Sequence, residues 1–249
     1  MDVHAGDLVH ATMTEIQNST DNVESSQRME RRGDEGGPVK APGEDPLSWV
    51  PRLITKLHSL WLGSTYPFIK FGKRVSIHHR CEISRTVAHR ILIEDYVYLA
   101  PDVWLNVAGS DVSKSPAIIL RKGCRIGRRS MISARDMVCI EDDVTLSPSV
   151  LIMDHNHGYS NPDLPIHEQG VTQGGSITIG RNSWIGFGAV IFCAKGSLSL
   201  GRNSVVGANS VVTTSFPPYS VIVGNPARLV KRYDASSKLW VRAGEEATD

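Results

Sequence analysis

A period of six runs through most of this chain. From about residue 69 onward an aliphatic residue is followed by a small or acidic one, two polar ones, a small or β-branched one, and a sixth of any kind. Ile140-Glu141-Asp142-Asp143-Val144-Thr145 leads into Leu146-Ser147-Pro148-Ser149-Val150-Leu151, and Ile179-Gly180-Arg181-Asn182-Ser183-Trp184 into Ile185-Gly186-Phe187-Gly188-Ala189-Val190. The same phase holds over 93–104 and 200–211. An α-helix repeats its faces every 3.6 residues or so, so this period excludes helical repeats and marks a stacked solenoid. Each hexapeptide reads as a short strand and a turn, its leading aliphatic pointing inward. Three of them close a triangular coil that rises by one strand spacing, about 4.8 Å.

Composition agrees with many closely spaced turns: aromatics are only 6%, and there are 22 glycines in 249 residues. Cys81 and Cys124 fall at the fifth position of their repeats, where Val or Ser stands elsewhere, and read as small core fillers. None of the four cysteines has a CxxC or zinc-finger spacing, so they read as free thiols in a reducing compartment. No apolar run reaches the length of a membrane span and the first thirty residues lack a basic head with an apolar stretch, which suggests a cytoplasmic protein. A formal charge of +1 lacks the footprint of a nucleic-acid binder.

Charge is unevenly distributed. Residues 1–46 carry ten acids against four bases and few large apolar side chains, and read as a disordered acidic tail. Over 48–62 the residues Val50, Leu53, Ile54, Leu57, Leu60 and Trp61 recur at helical spacing, so 47–68 reads as an amphipathic capping helix. Its apolar face is expected to pack on the first coil; Arg52, Lys56 and His58 on the polar face leave a membrane-surface role as the second reading, with membrane association not expected. The solenoid is expected over 69–232 and a C-terminal tail over 233–249. Two departures, at 107–116 and 153–176, break the repeat and can only be loops leaving a corner, which is where function concentrates.

The repeats, the run Asp154-His155-Asn156-His157, the segment 171–186 ending in Trp184-Ile185-Gly186, and Gly224-Asn225-Pro226-Ala227-Arg228 together resemble the hexapeptide-repeat acyltransferases. The likeness spans 69–232 and is greatest to the maltose and galactoside O-acetyltransferase-like branch. The resemblance implies an all-β fold, a left-handed parallel β-helix that departs from the usual right-handed crossover. It also implies a homotrimer with acetyl-CoA in the cleft between subunits, where a loop histidine meets a carbohydrate acceptor.

Acyl transfer from a thioester to a hydroxyl needs a base near neutral pKa within hydrogen-bond reach of that hydroxyl, and histidine fits. Of nine histidines, His155, His157 and His167 share the long insertion. Read from the residues alone, the pair His155 and His157 could simply hydrogen-bond the loop. The resemblance implies that His157, sixth from the leading Ile152, is the base, with His155 as partner or alternate. Asp154 would orient the base or bind the acceptor, and Trp184 would close the cleft by stacking or sit in a trimer contact.

Coenzyme A needs backbone donors along a wall and basic side chains at one end. The resemblance carries the wall to Ala208 and Thr213 and the basic end to Arg228 and Lys231. Phe187 stands on the same wall where a small residue is common, Thr214 where lysine is usual, and Arg129 where the family has an asparagine beside its histidine. Three further readings stay open. One is N-acylation of an amino-sugar nucleotide. Another is a γ-carbonic-anhydrase-like hydratase with His155 and His157 as zinc ligands, although no metal is expected because the cluster lies on a corner loop. The third is a non-catalytic solenoid platform.

Overall fold

The computed structural model describes residues 49–109 and 116–244, and the structural statements below concern these. The acidic segment 1–46 and the tip of the first departure from the repeat lie outside the described residues. Three parallel sheets form the walls of a left-handed β-helix. The first contains β1 (Lys70–Phe71), β4 (Ile91–Ile93), β7 (Ile118–Leu120), β10 (Met137–Ile140), β13 (Ser176–Ile179) and β16 (Ser197–Leu200). The second runs β2 (Ser76–Ile77), β5 (Tyr98–Leu99), β8 (Arg125–Ile126), β11 (Thr145–Leu146), β14 (Trp184–Ile185), β17 (Val205–Val206) and β19 (Ser220–Gly224), followed by β20 (Ala227–Asp234) and β21 (Leu239–Arg242). The third holds β3 (Glu82–Ile83), β6 (Trp104–Val107), β9 (Met131–Ala134), β12 (Leu151–Met153), β15 (Val190–Phe192) and β18 (Val211–Val212). Consecutive strands visit the three walls in turn, so each circuit pairs only with the circuits before and after it.

The period of six has a conformational cause at every corner. Leading aliphatics such as Ile126, Leu146, Ile185 and Val206 are buried and stack in register along the axis. The fourth residue of the hexapeptide takes a left-handed conformation, as at Asp102, Asp143, Asn182, Asn203 and Asn209, with φ between 55° and 63°. Short polar side chains and glycine tolerate that region best. The fifth residue turns inward and is small: Val97, Cys124, Ser130, Val144, Ser183, Ala189 and Ser204 are all buried. Where it is serine, its hydroxyl serves the corner backbone. Ser130 Oγ donates to Ser147 O and accepts the Val150 N–H, both at 3.2 Å. Glycine at the second position answers a close approach, since a Cβ on Gly186 would stand 2.7 Å from the Ala208 nitrogen of the next coil.

Both ends of the solenoid are closed. At the C-terminal end β19 pairs in parallel with β17, after which β20 and β21 return antiparallel and cover the edge of the last coil. The expected end of the solenoid at 232 therefore falls inside β20, and part of the 233–249 segment is the strand β21.

At the N-terminal end lies helix α1 (Trp49–Thr65), and here the expectation is corrected. The residues α1 buries are Thr55, Ser59 and Leu62, whereas Leu53, Leu57, Leu60 and Trp61 face outward. The physical reason is the edge of β2, which offers unpaired backbone groups. Ser59 Oγ accepts the Ile77 N–H at 2.8 Å and donates to Thr55 O at 2.7 Å, while His58 Nδ1 lies 3.2 Å from Ile77 O. Polar side chains can satisfy such an edge and apolar ones cannot. Tyr66, Phe68 and Phe71 then pack against the core below.

Replacing Ser59 by Ala should leave the Ile77 N–H without its partner and cost about 1–3 kcal/mol. It is read as a lower urea midpoint with an unchanged slope, against a change under about 0.5 kcal/mol for Leu57→Ala on the exposed side. Burial pushes the Cys81 thiol up to about 11 and the Cys124 thiol up to about 12, against the lowering influence of their backbone hydrogen bonds. Neither should be alkylated by iodoacetamide at neutral pH in the folded protein, and both should be after unfolding, as mass spectrometry will register.

Candidate active site

The corner between the third and first sheets carries both long departures from the repeat: one between β6 and β7, and residues 154–175 between β12 and β13. The second is an arm with a paired neck. Gly175 N donates to Asp154 O at 2.7 Å, and Thr172 N to Asn156 O at 2.7 Å, while Thr172 Oγ1 accepts the Asn156 N–H at 2.9 Å. His157 and Val171 form an antiparallel bridge, and Gly158 N donates to Gly170 O. Farther out, Gln169 Nε2 donates to the carbonyls of Asn161 and Leu164.

Asp154 anchors this arm to the preceding coil. Its side chain is fully buried, with Oδ1 accepting the Arg135 N–H at 2.6 Å and Oδ2 the Asp136 N–H at 2.8 Å. Oδ1 also lies 3.0 Å from Nδ1 of His155, whose residue is 7% exposed. A carboxylate only accepts, so Nδ1 is the proton-bearing nitrogen of this pair. The arm thus separates its three histidines. His155 is held by a buried carboxylate, whereas His157 and His167 are exposed. A second polar pair, Asn106 Nδ2 donating to Ser133 Oγ at 2.8 Å, lies on the neighbouring strands β6 and β9. The Arg135–Asp136 turn and this Asn106–Ser133 pair carry no mark in the sequence, because the first acts through backbone amides and the second through register.

The remaining candidates lie elsewhere on the prism. Phe187 and Ala208 are exposed on successive turns between the second and third sheets, where Asn209 N donates to Phe187 O at 2.8 Å. Thr213 is exposed just after β18, at the same corner as His155 and two coils farther on. Arg228 and Lys231 are on β20, and Arg228 Nη1 donates to Ala227 O at 2.9 Å. Trp184 projects from the second sheet and its Nε1 donates to Ser147 Oγ at 2.9 Å. A single chain therefore brings Asp154 and His155 together but leaves Trp184, Phe187, Ala208, Arg228 and Lys231 on other faces. Among the described residues no group of three His, Cys, Asp or Glu side chains could hold a metal ion. No helix among them is long and apolar enough to cross a membrane, which says nothing of a β-barrel.

No protein-family model matches the chain. The Escherichia coli protein WbbJ, named as a lipopolysaccharide biosynthesis O-acetyl transferase, is 34% identical over 119 residues, covering 45% of this chain and 59% of its own length. Rv3034c of Mycobacterium tuberculosis, named as an acetyltransferase, is 28% identical over 174 residues, covering 69% of this chain and 52% of its own length. The chain thus spans little more than half the length of these curated relatives. Among solved structures, the N-acyltransferase AntD from Bacillus cereus, in complex with dTDP and 3-hydroxybutyryl-CoA, superposes with a TM-score of 0.56 at 20% identity, covering 73% of this chain and 90% of that one. That similarity establishes the shared fold. The chain is thus similar in sequence to two proteins named as acetyltransferases and in fold to an N-acyltransferase.

Asp154 should be the costliest polar position of the corner. Asp154→Ala removes the acceptor of two backbone amides and of His155, and should destabilise the protein by about 2–4 kcal/mol in chemical denaturation. His157→Ala, on the exposed side of the arm, should stay within about 0.5 kcal/mol.

Proposed function

We propose that this protein is an acetyl-CoA-dependent O-acetyltransferase acting on a sugar or glycan hydroxyl by direct transfer, with His155 as general base and Asp154 as the residue that orients it. The observation that carries this reading is the buried Asp154–His155 pair at the root of the long corner arm. In the proposed reaction Nε2 of His155 takes the acceptor's hydroxyl proton as its oxygen attacks the thioester carbonyl. The C–S bond then breaks, the acetyl group stays on the acceptor, and the proton passes from the imidazolium to the departing thiolate of coenzyme A. No acyl-enzyme is needed. Asp154 stabilises the imidazolium formed on the way, and backbone amides of the cleft meet the developing oxyanion.

This reading places the base at His155, ahead of the His157 that the resemblance implies, because a buried carboxylate orients the His155 imidazole. It also carries a proposal about assembly. Phe187, Ala208, Thr213, Arg228 and Lys231 are the residues proposed to hold acetyl-CoA, with the two basic side chains toward its phosphates and Trp184 toward the acceptor. Most of them lie away from His155 on one prism. A homotrimer, in which the second-to-third turn of one copy faces the His155 corner of another, joins them in one cleft. The name of WbbJ, an O-acetyl transferase of lipopolysaccharide biosynthesis, supports O-transfer to a glycan, whereas AntD, an N-acyltransferase bound to 3-hydroxybutyryl-CoA, supports the thioester donor and favours N-acylation as the second reading.

His155→Ala should lower kcat/KM for acetyl transfer to a hydroxyl acceptor by on the order of 100-fold or more. His157→Ala should change it by less than about tenfold, and Arg228→Ala should raise KM for acetyl-CoA with little effect on kcat. Wild-type turnover in both histidine variants would sink the base assignment. Activity of His155→Ala retained on an amino sugar alone would turn the reading to N-acylation, since a free amine already offers its lone pair. Light scattering should give three times the chain mass, and an active monomer would refute the shared cleft.

A further inference from the structure

Helix α1 carries its apolar residues on the side opposite to the one it uses for packing. Trp49, Val50, Leu53, Ile54, Leu57, Leu60 and Trp61 are between 36% and 61% exposed. Their spacing puts them on one continuous face, directly across the helix from Thr55, Ser59 and Leu62, which meet the first coil. Seven large apolar side chains, two of them tryptophans, form a patch of the kind that marks an interaction site.

The charge on the helix itself is of one sign. Within 49–65 there is no Asp or Glu, while Arg52 and Lys56 border the apolar stripe on one flank and His58 on the other. Along the Lys56 flank of the helix a cavity of about 570 Å³ opens, lined among others by Lys56, Leu60, Phe71, Lys73, Arg74 and Val75. Two carboxylates lie nearby: Glu94 is paired with Arg121 at 2.9 Å and Lys70 at 3.6 Å, and Asp95 Oδ1 accepts the backbone N–H of Lys73 at 2.8 Å.

We propose that α1 is an interfacial helix that docks this protein on a lipid bilayer rich in anionic headgroups. Its apolar face would enter the boundary between headgroups and acyl chains, and Lys56, Lys73 and Arg74 would meet phosphates. An apolar stripe with tryptophans, backed by a basic polar flank and too short to span, is the composition that lies in a membrane surface. The two other occupants fit less well. A second copy packed on this face through a twofold axis would set Lys56 beside the same base of its mate, and the threefold assembly proposed above joins copies through the His155 corner and the second-to-third turn, not through α1. The acidic segment 1–46 complements the basic flank but has few large apolar side chains for the stripe. Placement of α1 over β2, the end strand of its sheet, would set the bilayer against one end of the prism. The inference stands apart from the acyl-transfer reading, since no residue of the proposed site takes part in it.

The test is flotation of the full-length chain with vesicles of phosphatidylcholine alone or mixed with phosphatidylglycerol. Wild-type protein should bind the mixed vesicles on the order of tenfold more than the neutral ones, and less so as salt rises. The double variant Leu57→Glu, Leu60→Glu should lose binding to both, while Lys73→Glu with Arg74→Glu should lose the preference for phosphatidylglycerol. Light scattering and circular dichroism should match wild type for each. Independently of any variant, brominated lipid should quench part of the wild-type tryptophan fluorescence. Absence of wild-type flotation, absence of quenching, or retained flotation by the Leu57→Glu, Leu60→Glu variant would overturn the proposal. A changed particle mass in that variant would assign the face to a second copy instead and equally overturn it.

Discussion

Parallel hydrogen bonding of each coil to the next is the constraint on which the rest of this structure depends. It fixes the axial spacing at one strand width, so every inward side chain must stack on its counterpart in the neighbouring coil, as Ile126, Leu146, Ile185 and Val206 do. It also fixes where the chain must turn. The left-handed fourth residue, the small buried fifth residue and the glycine at points of close approach are local answers to that spacing. A hexapeptide that broke any of them would lift one coil off the next and disturb two interfaces at once.

The same rigidity gives the corner arm its anchor. Asp154 reaches the amides of Arg135 and Asp136 because the coil below presents them at a set height and direction. A buried carboxylate with fixed donors is in turn a fixed acceptor for His155, and the imidazole acquires its orientation from a turn twenty residues away in sequence. The orientation of His155 at this corner is therefore borrowed from the scaffold. The arm beyond it is held by Thr172, Gln169 and a short antiparallel pairing, and could vary in length without disturbing the Asp154 anchor.

A solenoid has two ends, and they are treated differently. The C-terminal edge receives strands, β20 and β21, which supply hydrogen bonds along their length. The N-terminal edge of the second sheet receives a helix that contributes single polar side chains, chiefly Ser59. Meeting backbone groups with a polar helix face necessarily leaves the opposite, apolar face outward. The exposed stripe of α1 is thus a direct consequence of how the edge is satisfied.

How much of this was legible in the residues follows from the range of the interactions involved. The hexapeptide phase is local, repeated and tied to one backbone geometry, so the β-helix, its corners, the inward aliphatics and the two loop exits could be read without coordinates. The helix too was visible as a period, but not which face it buries, since that depends on the unpaired edge of β2, a tertiary feature. Asp154 and His155 were conspicuous as neighbours in a loop. What holds them is the pair of amides of Arg135 and Asp136, which any sequence would have supplied equally well. Sequence by itself determined the coil and its corners because each is set within six residues. Tertiary structure alone decided the orientation of His155 and the outward face of α1, because both depend on backbone groups of a neighbouring coil that no side-chain pattern encodes.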